Sequence, residues 1–218
     1  GEGDRKDFLK ALECYLKMVK KGHAYAQFAV GKLYFEGKEV TQDYTKAMVW
    51  YLKASSQRLP DAQDAICDLY YYGQGVPKDD SKALKWALKA ANQGFAPAIR
   101  SIGIFYQSGL GVVQDYTKAM KWFIKAAELG DADAQVGLGQ LYRDGHGVLP
   151  NFNLAMEWFL KATNLGYLEA YVCVGLMYES GQGVPQSYST AMGWYLKAAD
   201  RGYASAQYNL GTLHEMGQ

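Results

Sequence analysis

Three histidines, three cysteines and two pairs of neighbouring acids are the residues of this chain that could bind a metal, attack as nucleophiles or move protons. His23, His146 and His214 stand far apart, and none has the spacing of a zinc ligand set with another histidine or with Cys14, Cys67 and Cys173. The odd, scattered cysteines do not form a disulfide framework, and a reducing compartment, the cytoplasm, is the expected setting. Cys67 and Cys173 fall among small residues of helical segments and read as buried fillers, because a nucleophilic thiol needs an accessible, electropositive niche. Glycine pairs such as Gly73 and Gly75 resemble phosphate-binding loops, but they follow helices and feed a helix that begins with an acid, which would repel phosphate. The acid pairs Asp79–Asp80 and Asp61–Asp64 read as caps or solvated first turns, where carboxylates favour the helix dipole. Neither a catalytic constellation nor a metal or cofactor site is expected, and the chain reads as a non-enzyme.

The bulk properties agree. With 49% hydrophobic and 21% charged residues, the 218-residue chain has the composition of a globular protein, and its net charge of +1 is spread too evenly to draw nucleic acid or an anionic membrane. No apolar run approaches a membrane span, and "GEGDRKDFLK" lacks the apolar core of a signal peptide. None of the asparagines at 92, 151, 153, 164 and 209 lies in a glycosylation signal.

What would position any functional residue is a repeat of 36 residues. Tryptophan recurs at 50, 86, 122, 158 and 194, each three residues after an alanine and three before a lysine, while a second alanine recurs at 26, 62, 98, 134, 170 and 206. Tyrosine follows that alanine by eight residues at 34, 70, 106, 142 and 178, and His214 takes its place last. Each repeat reads as two helices. The first, about Ala132 to Tyr142 in one repeat, carries small residues at Ala134, Gly137 and Gly139 that allow close approach, and stops at a glycine (37, 73, 109, 145, 181 or 217). The second starts at Asp43, Asp79, Asp115, Asn151 or Ser187, all good N-caps, and ends at Gly94, Gly130, Gly166 or Gly202. Asp7 and Gly22 bound a further second helix in which Cys14 replaces tryptophan, whereas Arg58 replaces the closing glycine just before Pro60.

On a helical wheel, Tyr44, Ala47, Met48, Tyr51, Leu52, Ala54 and Ser55 share one face, and Trp50 sits at its border beside Lys46 and Lys53. The tryptophan therefore reads as a wedge between repeats rather than a ligand platform. The expected fold is all-α, a right-handed α–α superhelical solenoid of about six 36-residue repeats forming one domain. Its bounds are a partial repeat at 1–22, repeats 23–58, 59–94, 95–130, 131–166 and 167–202, and a partial repeat at 203–218, cut from a longer array with uncapped ends.

The pattern AxAQxxLGxLYxxGxGVxxDxxKAxxWxxKAAxxG, fullest in residues 132–166 and 96–130, resembles the Sel-one-like (SLR) repeat family, relatives of the tetratricopeptide repeats. The resemblance covers essentially the whole chain and implies an adaptor that holds other proteins together. One secreted branch of that family pairs cysteines within nearly every repeat, which Cys14, Cys67 and Cys173 do not reproduce.

By analogy with tetratricopeptide arrays, first helices line a concave groove, and its information lies in residues that do not repeat. Offsets 28, 32, 35 and 36 give an aromatic and acidic cluster of Phe28, Phe35, Asp64, Asp68, Tyr71 and Tyr72. They also give an apolar strip of Ile104, Val136, Val172, Leu176 and Tyr208, with Arg100, Gln140 and Arg143 among the polar positions. The expected occupant is an extended peptide or partner helix, its basic residue near Asp64 and Asp68. Alternatives are that some strip residues pack between repeats, that uncapped ends self-associate into a rod, or that the chain is an arm of a protein with a separate catalytic domain.

Overall fold

The computed structural model describes residues 17–38 and 40–215, so the readings on Asp7, Cys14 and Gly217 lie outside the described residues. After helical residues 17–20 come eleven helices: α1 (Ala24–Glu36), α2 (Tyr44–Ser55), α3 (Pro60–Tyr72), α4 (Asp80–Ala91), α5 (Ala96–Ser108), α6 (Tyr116–Glu128), α7 (Ala132–Asp144), α8 (Phe152–Asn164), α9 (Leu168–Ser180), α10 (Tyr188–Ala199) and α11 (Ala204–Glu215). No strand occurs among the described residues. The fold is an all-α helical repeat.

The chain divides into two compact units, Gly1–Val113 and Gln114–Gln218. In the first, α1 pairs with α2 and α3 with α4, while α2 packs on α3 and α4 on α5. In the second, α7 pairs with α8 and α9 with α10, with α6 on α7, α8 on α9 and α10 on α11.

The repeated residues have identifiable tasks. Asp43, Asp79, Asn151 and Ser187 accept a hydrogen bond from the backbone N–H three residues on, filling an orphan donor of the first turn. Where the cap is Asp43 or Asp79, that third residue is a lysine whose ammonium reaches back to the carboxylate at 3.3 or 3.2 Å and lies 5.4 Å from the ring of Tyr34 or Tyr70. Asn151 and Ser187 cannot form this ion pair, and Leu154 and Thr190 stand in place of the lysine. The backbone hydrogen bond holding Asp43, Asp79 and Asp115 to their helices keeps these carboxyls below the ordinary range. Backbone bonds from Asp43 N–H to Tyr34 O (2.9 Å) and from Asp79 N–H to Tyr70 O (3.0 Å) close the preceding loops.

Between the two helices of a repeat, a glycine faces an aromatic ring. A Cβ on Gly139 would lie within about 2.3 Å of the Phe159 ring, and one on Gly175 within about 2.2 Å of the Tyr195 ring. Both rings are fully buried, so the small residues of the first helices do set the helix spacing. The tryptophans take the border position expected of them. Trp86 packs against the core of Ala47, Met48, Tyr51, Ile66 and Leu69, and Trp194 against that of Phe159, Val174 and Met177. All five are half-buried, each under a lysine ammonium between 3.4 Å (Lys89 over Trp86) and 4.7 Å (Lys125 over Trp122) from the ring centroid. Leu52 departs from the wheel. It is 43% exposed, because packing narrows the buried stripe of α2 to Ala47, Met48, Tyr51, Ala54 and Ser55.

Helix ends differ slightly from expectation. First helices run one further half turn, α7 to Asp144 before left-handed Gly145, and second helices stop before their glycine, α4 at Ala91 and α8 at Asn164. Arg58, where other repeats have that glycine, is forced to φ +63°. A left-handed conformation costs a side-chain-bearing residue roughly 1–2 kcal/mol, partly offset in glycine by its greater unfolded entropy. Arg58→Gly is therefore expected to raise stability by about 0.5–1 kcal/mol in urea unfolding. No change or a loss would mean that the exposed arginine earns its place by another contact.

A depression on the first helices

The residues that do not repeat gather on the first helices of the first unit. On α3, Asp64, Asp68, Tyr71 and Tyr72 are spaced i, i+4, i+7 and i+8, which puts them on one face. Opposite stand Arg100, Ser101, Ile104 and Phe105 of α5. These eight side chains and Cys67 enclose a cavity of about 280 Å³. Tyr71 stands edge-on to Tyr72, with centroids 4.8 Å apart, and to Phe105 at 5.9 Å, while buried Cys67 and Phe105 give the cavity an apolar floor.

The neighbouring junction has a smaller counterpart of this cavity. A shallower depression of about 150 Å³ lies between α1 and α3, lined by Phe28, Lys32, Phe35, Glu36, Tyr51, Ala65 and Asp68. Adding 36 to those numbers gives Asp64, Asp68, Tyr71, Tyr72, Ala87, Ser101 and Ile104. Six of the seven line the larger cavity, and the seventh, Ala87, stands where the other repeats have Tyr51, Phe123, Phe159 and Tyr195. Its partner changes with it, Cys67 replacing the glycine at 31, 103, 139, 175 and 211. A glycine–ring pair has become a cysteine–methyl pair, and Cys67 lines the larger cavity where the Tyr51 ring lines the smaller depression.

Charge inside the cavity is unbalanced. Asp64 does not sit on a solvated first turn as the sequence suggested. Its Oδ1 is buried without a hydrogen-bond partner, and burial, with Asp68 and Asp61 nearby, pushes its carboxyl up to about 7 against the pull of Arg100. Asp68, exposed at the rim, is also raised by partial desolvation among its neighbours, again opposed by Arg100. The Cys67 thiol is driven far above its ordinary range by burial and by both aspartates, and burial pushes Cys173 up to about 12. Both are free thiols held protonated, as expected of fillers.

The structure thus brings together Asp64, Asp68, Tyr71, Tyr72, Arg100 and Ile104, with Asp68 shared by the adjoining depression of Phe28 and Phe35. In that depression Phe28 is tilted on Tyr51 at 5.5 Å and Phe35 meets Tyr44 edge-on at 5.4 Å. The sequence pattern did not single out Ser101, Phe105 or Ala87. The break at Ala87 in an otherwise aromatic column was the available signal.

The apolar strip is corrected in the second unit. Val136 is 3% exposed, inside a cluster with Ala155, Phe159 and Met177, and Val172 is 7% exposed, packed with Tyr195, Ala206 and Leu213. At this offset the side chain lies over the seam between repeats, where Val136 and Val172 are buried while Phe28 and Asp64 are half-buried beside the depressions. Gln140 is half-buried, and Tyr208 is exposed. Leu176 and Arg143 do meet, in an open depression of about 480 Å³ with Asp144, Glu179, Ser180, Gln182 and Tyr188. There Arg143 is held by Asp144 through bonds of 2.7 and 3.1 Å, and Glu179 accepts the Tyr195 hydroxyl at 2.5 Å. Among the described residues no group of three His, Cys, Asp or Glu is placed to hold a metal, and no helix is long and apolar enough to cross a membrane.

The Sel1 repeat model matches residues 1–23, 24–59, 60–95, 96–131, 132–167, 169–203 and 204–218, nearly the entire chain. The chain belongs to the Sel1 repeat family. Solved Sel1 repeat structures agree: one from Oxalobacter formigenes is 32% identical over 99% of this chain and 88% of its own, with a TM-score of 0.89. A protective antigen of uropathogenic Escherichia coli strains displaying an SLR fold is 34% identical over 95% of this chain, with a TM-score of 0.81. This Sel1 repeat chain spans only 44% of that antigen's length. A putative Sel1 repeat protein from Klebsiella pneumoniae, 22% identical over 93% of this chain and 99% of its own, has the same fold with a TM-score of 0.63. A search of curated proteins gives no match. Sel1 repeat proteins generally mediate protein–protein interactions, and the repeat is generally a non-catalytic scaffold.

Proposed function

We propose that this Sel1 repeat protein is an interaction scaffold that holds an extended peptide or helix of a partner protein along α1, α3 and α5. One observation carries the reading: the repeat-breaking residues of α1, α3 and α5 line two depressions that share Asp68 and mix aromatic, aliphatic and acidic groups. Repeated positions hold the framework, so a scaffold stores its specificity in the others. Aromatic anchors beside a desolvated polar group are the composition of a binding hot spot.

The test is a selection of displayed random peptides on the purified protein, followed by affinity measurement on wild type and on Ile104→Glu, whose side chain is half-exposed in the cavity wall. Enriched peptides are expected to bind the variant at least about tenfold more weakly, since a charge replaces apolar contact worth about 1.4 kcal/mol or more. Circular dichroism serves as the folding control. Equal affinity for both proteins would rule out this face. A parallel Leu176→Glu variant separates the two units, and the proposal expects it to retain the peptides selected by the first.

A further inference from the structure

The geometry points to a lysine pocket: the cavity between α3 and α5 receives a lysine side chain of the partner, its stem against Tyr72 and Ile104 and its ammonium on the exposed Asp68 carboxylate beside Asp64. This rests on the proposed scaffold role and names the chemistry of its anchor.

Four features select this occupant. The volume, about 280 Å³, falls just below the roughly 300 Å³ at which drug-sized ligand sites begin, so it suits one side chain and little more. Two carboxylates face one guanidinium in the lining, and Arg100 lowers but does not cancel the strain on Asp64. An occupant with positive charge is therefore favoured over one with negative charge. Asp64 Oδ1 is buried without a hydrogen-bond partner, so its charge acts on an occupant from behind, while the exposed Asp68 carboxylate is the acceptor open to a ligand donor. A cavity of this size that already holds the Arg100 guanidinium suits a compact ammonium with three rotatable donors better than a second planar fork. The tyrosine walls suit the apolar stem and the charge together. The chain's own Lys78 does not fill this place, since its ammonium is paired with Asp80 at 3.6 Å and lies 5.5 Å from the Tyr71 ring.

Recognition of an ammonium requires an ionised Asp64, so affinity is linked to pH. The groups around it are Asp61 and Asp68 of α3, Cys67 beneath, and Arg100 of α5. Lys78 stands beyond Tyr71. With the free carboxyl at about 7, proton competition weakens binding about tenfold at pH 6 relative to pH 8.

The experiment titrates three acetylated, amidated pentapeptides into the ¹⁵N-labelled protein, with alanines flanking a central lysine, norleucine or arginine. The lysine peptide is expected to shift amides of residues 64–72 and 100–105 saturably, to bind at least fivefold tighter than the norleucine and arginine peptides, and to tighten about tenfold from pH 6 to pH 8. Asp64→Asn and Asp68→Asn are each expected to reduce lysine affinity at least fivefold and to flatten the pH response. Equal binding of lysine and norleucine, preference for arginine, undiminished binding to both variants, or shifts confined to other helices would each overturn the assignment. Failure here, alongside displayed peptides that still lose affinity on Ile104→Glu, would leave an apolar scaffold groove without a lysine pocket.

Discussion

Gly111→Ala is expected to destabilise the protein by about 3 kcal/mol and to lower its melting temperature by roughly 6–12 °C. Two causes add. Gly111 has φ +67°, where a side chain costs roughly 1–2 kcal/mol. Its Cβ would also lie 2.6 Å from Asp80 C and Ser81 N and 2.8 Å from Asp80 O, a collision with backbone that cannot swing aside and that adds roughly 1–3 kcal/mol. The loop of one repeat is seated here on the first turn of the second helix of the repeat before, and Ser81 Oγ donates to Gly111 O at 3.3 Å. Gly94→Ala is the control, because Gly94 has φ +78° but nothing within 4 Å of its absent Cβ. It should show the backbone cost alone, about 1–2 kcal/mol. Equal losses for the two variants in urea titrations would mean that the loop does not bear on the helix.

Asp64→Asn is expected to stabilise the folded chain above neutral pH. The carboxyl sits at about 7 in the folded state against about 3.9 in an unfolded chain. Because the folded form holds the proton more tightly, the group's favourable contribution is complete below about pH 4 and is lost as pH rises toward 7. Asparagine does not ionise, so the two proteins should be about equally stable near pH 4. At pH 8 the variant should be more stable by on the order of 2–4 kcal/mol, the free energy linked to such a shift. Urea midpoints measured from pH 4 to pH 8 check this, and parallel curves for the two proteins would show an Asp64 that is ionised and satisfied throughout. A residue that lowers stability at neutral pH while raising a proposed affinity is the trade expected of a binding site.

The architecture was legible because its causes are local and recur. Caps at Asp43, Asp79, Asn151 and Ser187, the glycine facing Phe159 and the tryptophan under its lysine each follow from residue type and offset, and every recurrence tests the reading again. Surface positions were harder to read, since one offset serves two purposes. Phe28, Asp64 and Arg100 reach a groove, whereas Val136 and Val172 at the same offset sink into the seam, and side-chain length and shape rather than periodicity decide between them. Asp64 was legible as a groove residue but not as a buried one. Its environment depends on Arg100 and Phe105 of another helix and on Cys67, which stands where other repeats have glycine.

That exchange also supplies the most direct test. Restoring the repeat's own pair with Cys67→Gly and Ala87→Phe should put a ring where Tyr51, Phe159 and Tyr195 stand in their repeats and narrow the cavity toward the roughly 150 Å³ of its neighbour, leaving Asp68, Tyr72 and Ile104 in place on the surface. The double variant is predicted to fold with wild-type helicity, to melt no lower than wild type, and to bind the selected peptides at least about tenfold more weakly. A folded double variant that binds those peptides with unchanged affinity would contradict the account, because the wider cavity beside Cys67 would then play no part in partner recognition.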